Sequence, residues 1–380
     1  MPTDTEVRAA AERVADPLLR RSLGELGLVQ SATVDGSTAK IALAVPTDRD
    51  ELRRELTARV TAEVTALDGI ARVEVGVRRM DEAELQALGR ILKGEPPPNP
   101  LQVVDASAQQ APRERVNPFT DARTRVIAIS SGKGGVGKSS ITTNLSIALA
   151  QRGHRVSAVD ADVWGFSMPR MLGVERPPDL IDDVIVPPEA NGVRLISMGF
   201  FAREDQAVVW RGPMLHKALE QFLTDVWWDE PDYLLVDMPP GTGDISISIA
   251  QFLPRAEVIV VTTPQPAAQR VAQRAAAMAK QVELDVIGVI ENMSWFRGDD
   301  GTTYEIFGRG GGQELAASIG VPLLGQVPLV PELREGGDAG RPIIVAAPDD
   351  DASVAFRNIA ERVDVELAPT KVFRSELKIT

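Results

Sequence analysis

In the first 90 or so residues, apolar residues show helical spacing in two segments and alternate with polar residues in three. Apolar residues recur every three to four positions over residues 5–15 and 50–67, which predicts two amphipathic helices. Apolar and polar residues alternate over residues 30–34, 39–45 and 70–77, and Asp35-Gly36 provides a turn between the first two. This order predicts a small α+β domain over residues 1–92.

From residue 123 to residue 366 short apolar runs alternate with helical segments. The runs that predict buried strands lie at residues 126–129, 155–159, 193–198, 233–237, 258–263 and 285–291. Strands separated by helices pair in parallel, so this alternation predicts a doubly wound, mostly parallel sheet. The expected fold class is therefore α/β, preceded by the small α+β domain.

The two patterned regions are joined by a predicted linker over residues 93–122. Residues 96–100 contain four prolines and should be extended and stiff. Residues 106–115 are small and polar, a composition typical of flexible segments. We expect part of the linker to be disordered, the alternative being an ordered surface loop packed on the second domain. Residues 367–380 form a polar, basic tail.

Composition narrows the classes of function. The net charge of −13 over 380 residues argues against a nucleic-acid partner. No apolar run approaches the ~20 residues of a membrane helix, and the first residues lack the apolar core of a signal peptide. We therefore expect a cytoplasmic protein without a membrane partner. The chain has no cysteine, which excludes disulfides and any zinc or iron–sulfur site ligated by its own thiolates.

A phosphate-binding motif follows the first strand of the second domain and opens its first helix. It fits G-x-x-x-x-G-K-[ST], the P-loop, and reads Gly132-Lys133-Gly134-Gly135-Val136-Gly137-Lys138-Ser139, with Ser140 next in the helix. Strand, glycine loop and helix in this order direct backbone N–H groups and a helix N-terminus at a bound anion. Lys138 is expected to reach the β- and γ-phosphates of a nucleotide and Ser139 to hold Mg²⁺.

Carboxylates end two further strands of the predicted sheet. Asp160 and Asp162 follow the strand at residues 155–159, and Asp237 ends the strand at residues 233–237. Ligands bind at the carboxyl ends of strands in such sheets, where these acids would position Mg²⁺ and orient an attacking water. For Asp160 and Asp162, capping of the next helix is an equally good interpretation of the spacing alone.

These motifs together resemble a known family. Gly132–Ser139 looks like the deviant Walker A of the ATPase class that includes nitrogenase iron protein, the Min-system ATPase and the Mrp/ApbC iron–sulfur carriers. Residues 160–173 are similar to the switch I sequence of Mrp/ApbC proteins, and residues 237–244 match their Asp-x-Pro-Pro-Gly-Thr-Gly-Asp hallmark. Residues 16–19 and 26–29 resemble the MIP18-type domain of iron–sulfur assembly proteins.

The resemblance implies an ATP-hydrolysing homodimer. It implies that Lys133 crosses the dimer interface to the partner's nucleotide, that Asp162 activates water, and that Asn292 hydrogen-bonds the base. A turn asparagine is the alternative for Asn292. With the residues argued above, the expected catalytic residues are Lys133, Lys138 and Asp162, and the expected Mg²⁺ ligands are Ser139, Asp160 and Asp237.

The resemblance also implies that the protein transfers iron–sulfur clusters to apoproteins and that its partners are apoproteins or assembly factors. Typical carriers have Cys-x-x-Cys between the segments that match Asn292-Met293-Ser294 and residues 306–312. Here residues 295–305 predict a hairpin that turns at Asp300-Gly301 and offers no soft sulfur ligand. The alternatives are an ATP-switched adaptor that carries no cluster, or a cluster whose thiols come from a partner protein.

Overall fold

The computed structural model describes residues 1–95, 117–120, 123–163, 165–201, 212–241, 244–298, 300–367 and 369. Most of the predicted linker and tail therefore lies outside the described residues. The chain divides into two compact units. The first comprises the described residues of Met1–Glu114 together with Asp179–Val186, and the second those of Arg115–Pro178 and Pro187–Thr380.

The helices and strands have the following bounds. The α-helices are α1 (Asp4–Arg13), α2 (Asp50–Thr65), α3 (Glu82–Leu92), α4 (Lys138–Gln151), α5 (Met168–Leu172), α6 (Gly212–Thr224), α7 (Asp244–Phe252), α8 (Pro266–Gln281), α9 (Gly311–Ile319), α10 (Pro331–Asp338), α11 (Ile343–Ala346) and α12 (Asp351–Glu361). The strands are β1 (Val29–Asp35), β2 (Thr38–Val45), β3 (Arg72–Arg79), β4 (Arg125–Ser131), β5 (Val156–Asp160), β6 (Asp179–Ile181), β7 (Val184–Val186), β8 (Glu189–Ala190), β9 (Val193–Ser197), β10 (Tyr233–Asp237), β11 (Glu257–Thr262), β12 (Asp285–Asn292), β13 (Phe296–Arg297), β14 (Thr303–Tyr304) and β15 (Leu323–Val327). A 3₁₀ turn covers Met198–Phe200, and a π-helical turn covers Arg362–Glu366.

The first unit is the α+β arrangement expected from its pattern. Its sheet has the order β1-β2-β3, with β1 antiparallel to β2 and β2 parallel to β3. Helix α1 begins at a capping box in which Thr3 Oγ1 accepts from the Glu6 N–H and the Glu6 carboxylate accepts from the Thr3 N–H. Leu56, Val60 and Val64 form the buried face of α2, the apolar stripe that its sequence predicts.

One hairpin of the first unit comes from far along the sequence. Strands β6 and β7 pair with each other, and their residues pack with α3 and the residues before α2. Arg49 Nη2 lies 2.5 Å from Asp179 Oδ2, and Lys93 pairs with Asp182 and Asp183. The sequence-based boundaries assigned residues 179–186 to the second domain. The difference arises because long-range ion pairs leave no trace in local hydrophobic patterns.

The second unit is built on an eight-stranded sheet. Its order is β15-β12-β11-β4-β10-β5-β9-β8, and all neighbours are parallel except β8 and β9. Strands β5, β9, β10 and β11 are buried along their whole length, as expected of continuous apolar runs covered by helices on both faces. The predicted parallel sheet and its six strand segments are therefore present.

The order of the central strands decides where the polar strand ends meet. Strand β10 lies between β4 and β5, and Asp237 is in register with both Ile129 and Asp160. The P-loop leaves β4 at the same edge and leads into α4, most of whose residues are buried. This edge of the sheet therefore gathers the P-loop and the acidic strand ends.

Candidate nucleotide-binding site

The P-loop backbone takes a course that only glycine allows at three positions. Gly135 and Gly137 have φ of 76° and 82°, in the left-handed region. A Cβ on Gly137 would also lie 2.2 Å from Asn292 Nδ2, and a Cβ on Gly132 would lie 2.3 Å from the backbone of Val271 in α8. The glycines therefore serve both the curvature of the loop and its close packing against neighbouring elements.

Three side chains from α4 converge on Asp237. Lys138 Nζ lies 2.8 Å from Asp237 Oδ1, Ser139 Oγ donates to Oδ2 at 2.6 Å, and Thr142 Oγ1 donates to Oδ1 at 2.8 Å. Asp237 is fully buried and Lys138 is 6% exposed, so this is a buried charge pair supported by two hydroxyl groups. The structure thus brings together Lys138 and Ser139 of the P-loop motif and Asp237 at the end of β10.

Asp160 organises the loop that carries Asp162. Its Oδ1 accepts from the Asp162 N–H at 3.2 Å, and its Oδ2 accepts from Ser197 Oγ at 3.0 Å and from the N–H groups of Ser167 and Met168. Burial, with a further contribution from the charge of Asp237, raises the pKa of Asp160 to about 7. Both oxygens of Asp160 thus bind groups of the protein, so this carboxylate holds in place the loop that carries Asp162.

Asp162 lies near Lys138, the same cation that pairs with Asp237. Its Oδ2 lies 3.7 Å from Lys138 Nζ, and its Oδ1 accepts from the Gly165 N–H at 3.1 Å. The side chain is largely buried. Lys138 therefore lies near the carboxylates of both Asp162 and Asp237, and its charge also acts on the buried Asp160. The negative charge and the hard oxygen donors near the cavity suit a divalent cation such as Mg²⁺.

The P-loop borders a cavity of about 380 Å³. The cavity is lined by P-loop residues, by Asp162 and Gly165 of the following loop, and by Met171 and Pro240. Lys133 lies at its edge, and its Nζ donates to Gln265 Oε1 at 3.3 Å. The space, the N–H groups of the loop and the buried lysine together can accept a phosphate chain with its metal ion.

Asn292 lies behind the loop rather than in the cavity. Its Nδ2 donates to the Val136 carbonyl at 2.8 Å, and the residue is 2% exposed. The roles assigned to Asn292 as a base contact, to Lys133, Lys138 and Asp162 as catalytic residues, and to Ser139, Asp160 and Asp237 as Mg²⁺ ligands stay predictions.

The segment that replaces Cys-x-x-Cys is a short hairpin. Strands β13 and β14 pair antiparallel, and Gly301 at the turn has φ of 79°. The turn predicted at Asp300-Gly301 is thus present. Within the part of the chain that the structure describes, no group of three or more histidine, aspartate or glutamate side chains is arranged to hold a metal ion.

A larger open groove of about 670 Å³ lies on the first unit, between α2 and β3. Arg53 in its wall donates to the Val77 carbonyl and pairs with Asp48, and Arg54 donates to the Asp50 carbonyl. The arginines of this groove are thus bound within the unit itself. The P-loop cavity, with its converging charged groups, is the better candidate for a nucleotide.

Three side chains that support the site are not predicted by the sequence patterns. Thr142 binds Asp237, Ser197 binds Asp160, and Gln265 binds Lys133. Thr142 lies one helical turn after the P-loop serine, on the same face of α4, and this spacing would have identified it. Ser197 and Gln265 are separated from their partners by 37 and 132 residues, and no local pattern points to them.

Comparisons with known proteins identify the family of this chain. The family model described as NUBPL iron-transfer P-loop NTPase matches residues 122–364, and the model described as iron-sulfur cluster assembly protein matches residues 4–77. A Mycobacterium tuberculosis protein named iron-sulfur cluster carrier protein is 43% identical over 365 residues, covering 93% of this chain and 91% of its own. A Synechocystis protein of the same name is 37% identical over 377 residues, covering 96% and 97%.

Solved structures resemble the second unit. A nucleotide-binding protein of Archaeoglobus fulgidus in complex with ADP has a TM-score of 0.52 and 32% identity, and the match covers 61% of this chain and 91% of that one. The septum site-determining protein MinD of Pyrococcus horikoshii, complexed with Mg-ADP, has a TM-score of 0.50 and 27% identity, covering 64% and 97%. These similarities confirm the predicted P-loop NTPase fold, and the chain belongs to the NUBPL iron-transfer P-loop NTPase family, with an iron-sulfur cluster assembly domain in front.

Proposed function

We propose that this protein binds and hydrolyses ATP with Mg²⁺ and uses the nucleotide cycle, as a homodimer, in the transfer of iron–sulfur clusters to apoproteins. The convergence of Lys138 and Ser139 on Asp237 carries the proposal, because it unites a phosphate-binding cation, a metal-binding hydroxyl and a metal-binding carboxylate at one strand end. The transfer of iron–sulfur clusters is inferred from the relatives, which are named iron-sulfur cluster carrier protein.

The residues would act on the nucleotide as follows. The P-loop N–H groups and Lys138 bind the phosphates, which draws Lys138 away from Asp237. Ser139 and Asp237 would then hold Mg²⁺, which neutralises charge on the β- and γ-phosphates. Asp162, held by the Gly165 N–H, accepts a proton from the attacking water, and Lys133 stabilises the transition state on the partner's nucleotide.

The homodimer follows from Lys133, which contributes to a second subunit's site in the class that this P-loop resembles. No described helix is long and apolar enough to cross a membrane. We place the protein in the cytoplasm, where its partners would be cluster assembly factors and apoproteins.

A second candidate function is an adaptor that ATP switches but that carries no cluster itself. The chain has no cysteine, and the hairpin of β13 and β14 exposes carboxylates and an aromatic ring instead of thiols. Iron–sulfur clusters need soft sulfur ligands, so this chain alone does not fit the cargo. In the adaptor function, a partner protein supplies the thiols, and the nucleotide state of the ATPase controls the docking of that partner.

Anaerobic iron–sulfur reconstitution with and without ATP tests the two candidates. Absorbance and iron and sulfide content are measured on the wild type and on Arg297→Cys/Asp300→Cys. This variant places Cys-x-x-Cys on the turn closed by the Gly301 N–H and the Gly298 carbonyl at 2.9 Å, and it keeps Gly301, whose φ is 79°. Stoichiometric, transferable cluster on the wild type supports the carrier. Cluster on the cysteine variant alone, with ATP-dependent dimerisation of both, supports the adaptor. Absence of ATP hydrolysis in both would refute the ATPase.

A further inference from the structure

Asn292 is the residue at the carboxyl end of β12, two strands away from the strand that leads into the P-loop. Its side chain nevertheless reaches the loop, since Nδ2 donates to the Val136 carbonyl at 2.8 Å. The contact is buried, with Asn292 and Val136 both 2% exposed. Val136 and Gly137 line the nucleotide cavity, whereas Asn292 does not. The asparagine therefore supports the loop from its outer side.

The bond to the Val136 carbonyl sets the direction of a neighbouring N–H group. Carbonyl and N–H of one trans peptide point in opposite directions, so the Gly137 N–H points away from Asn292. Gly137 packs so closely that a Cβ on it would lie 2.2 Å from Asn292 Nδ2. The amide thus fixes both the position and the orientation of this peptide, and N–H groups of the P-loop are its main contacts with phosphate.

The end of β12 is itself held firmly. The preceding residue, Glu291, is 1% exposed and accepts from the Gly312 N–H at 2.5 Å, from Gln326 Nε2 at 2.6 Å and from Ser294 Oγ at 2.9 Å. The two neighbours on the strand point to opposite faces, Glu291 toward the start of α9 and Asn292 toward the P-loop. Asn292 is therefore a rigid support rather than a mobile side chain.

We propose that Asn292 is a positioning residue for phosphate binding: it holds the Val136–Gly137 peptide so that the Gly137 N–H stays directed at the anion. The inference rests on the proposed nucleotide-binding function. The competing role is a contact with the base. Asn292 Oδ1 is buried and has no hydrogen-bond partner among the described residues, so it is the atom that such a contact would use.

A ligand without a base separates the two roles. Dissociation constants are measured by calorimetry for Mg-ADP, Mg-GDP and Mg-tripolyphosphate, on the wild type, Asn292→Ala and Asn292→Asp. Loss of the buried hydrogen bond should weaken all three ligands roughly tenfold in Asn292→Ala, with the preference for ADP over GDP unchanged. Asn292→Asp keeps the size but turns an oxygen toward the Val136 carbonyl, and should weaken all three ligands at least as much.

Asn117→Ala is the matched control, because Asn117 Nδ2 also donates to a backbone carbonyl, that of Phe252, at 2.6 Å. It should leave all three affinities unchanged, and thermal melts of every variant report folding. Weakened ADP with unchanged tripolyphosphate in either Asn292 variant would establish the base contact and overturn the inference, as would unchanged affinity for all three. A wild type that binds none of the ligands would instead overturn the proposed function.

Discussion

Lys133 Nζ lies 3.3 Å from Gln265 Oε1, within the same chain. The same oxygen accepts from Thr263 Oγ1 at 3.1 Å, and Gln265 is the N-cap residue of α8, which begins at Pro266. A lysine bound to its own subunit in this way has to leave Gln265 before it can serve a partner's nucleotide. The contact therefore opposes the dimer-dependent step of the proposed mechanism.

Gln265→Ala should release Lys133 and favour the active dimer. Losing one partly buried hydrogen bond to a charged group should raise hydrolysis roughly two- to fivefold at low protein concentration. Phosphate release, measured as a function of protein concentration, checks this. Gln273→Ala is the control, because Gln273 lies on the same helix and bonds Ser318 Oγ. Slower hydrolysis in Gln265→Ala would contradict the idea of an opposing contact.

Substitutions of the two P-loop lysines should have different effects. Lys138→Ala should abolish hydrolysis, because the phosphates lose their buried cation. Lys133→Ala should leave nucleotide binding by the monomer intact and reduce only the hydrolysis that depends on the dimer. Nucleotide titrations and phosphate release on the same preparations distinguish the two. Wild-type turnover in Lys138→Ala would refute the role assigned to that lysine.

Ser139 and Thr142 both donate to Asp237, but only Ser139 is proposed to bind Mg²⁺. Ser139→Ala should therefore lose the Mg²⁺-dependent rate, by on the order of a hundredfold. Thr142→Ala should lower the free energy of unfolding by about 1 kcal/mol while keeping most of the activity. Hydrolysis at graded Mg²⁺ concentrations and chemical denaturation measure the two effects. Equal inactivation of both variants would contradict the distinction.

Acid stability should depend on Asp364. Burial alone would raise its pKa, but hydrogen bonds from His154, Arg152 and Tyr233 lower the pKa of Asp364 to about 2. Because the pKa is lower in the folded state, this stabilisation is present above the unfolded value near 3.8 and is lost as the pH falls toward 2.

Asp364→Asn should therefore lower the free energy of unfolding at pH 7, by on the order of 2 kcal/mol, and flatten its decline between pH 4 and pH 2. Urea denaturation across this pH range is the measurement. Asp35→Asn serves as the control, because Asp35 is exposed and its ion pair with Lys40 Nζ is long at 3.9 Å. An equally steep acid decline in Asp364→Asn and the wild type would refute the assignment.

The sequence by itself determined whatever depends on residues close together in the chain. The P-loop could be predicted because strand, glycines, Lys138 and Ser139 follow one another within a few residues. The parallel sheet could be predicted because each strand repeats the same local pattern, and the absence of cysteine alone excluded a cluster bound by this chain's thiolates. Periodicity and composition are local properties of the chain, so they can be recognised in the sequence before the fold is known.

Only the tertiary structure decided which distant groups meet. It placed β10 between β4 and β5, which brings Asp237 to Ser139 across 98 residues. It also set Asn292 behind the P-loop, Gln265 against Lys133, and the 179–186 hairpin within the first unit. These contacts depend on strand order and on ion pairs between remote segments. Strand order and remote ion pairs leave no periodic signal in the sequence, because they form only when the local elements pack together.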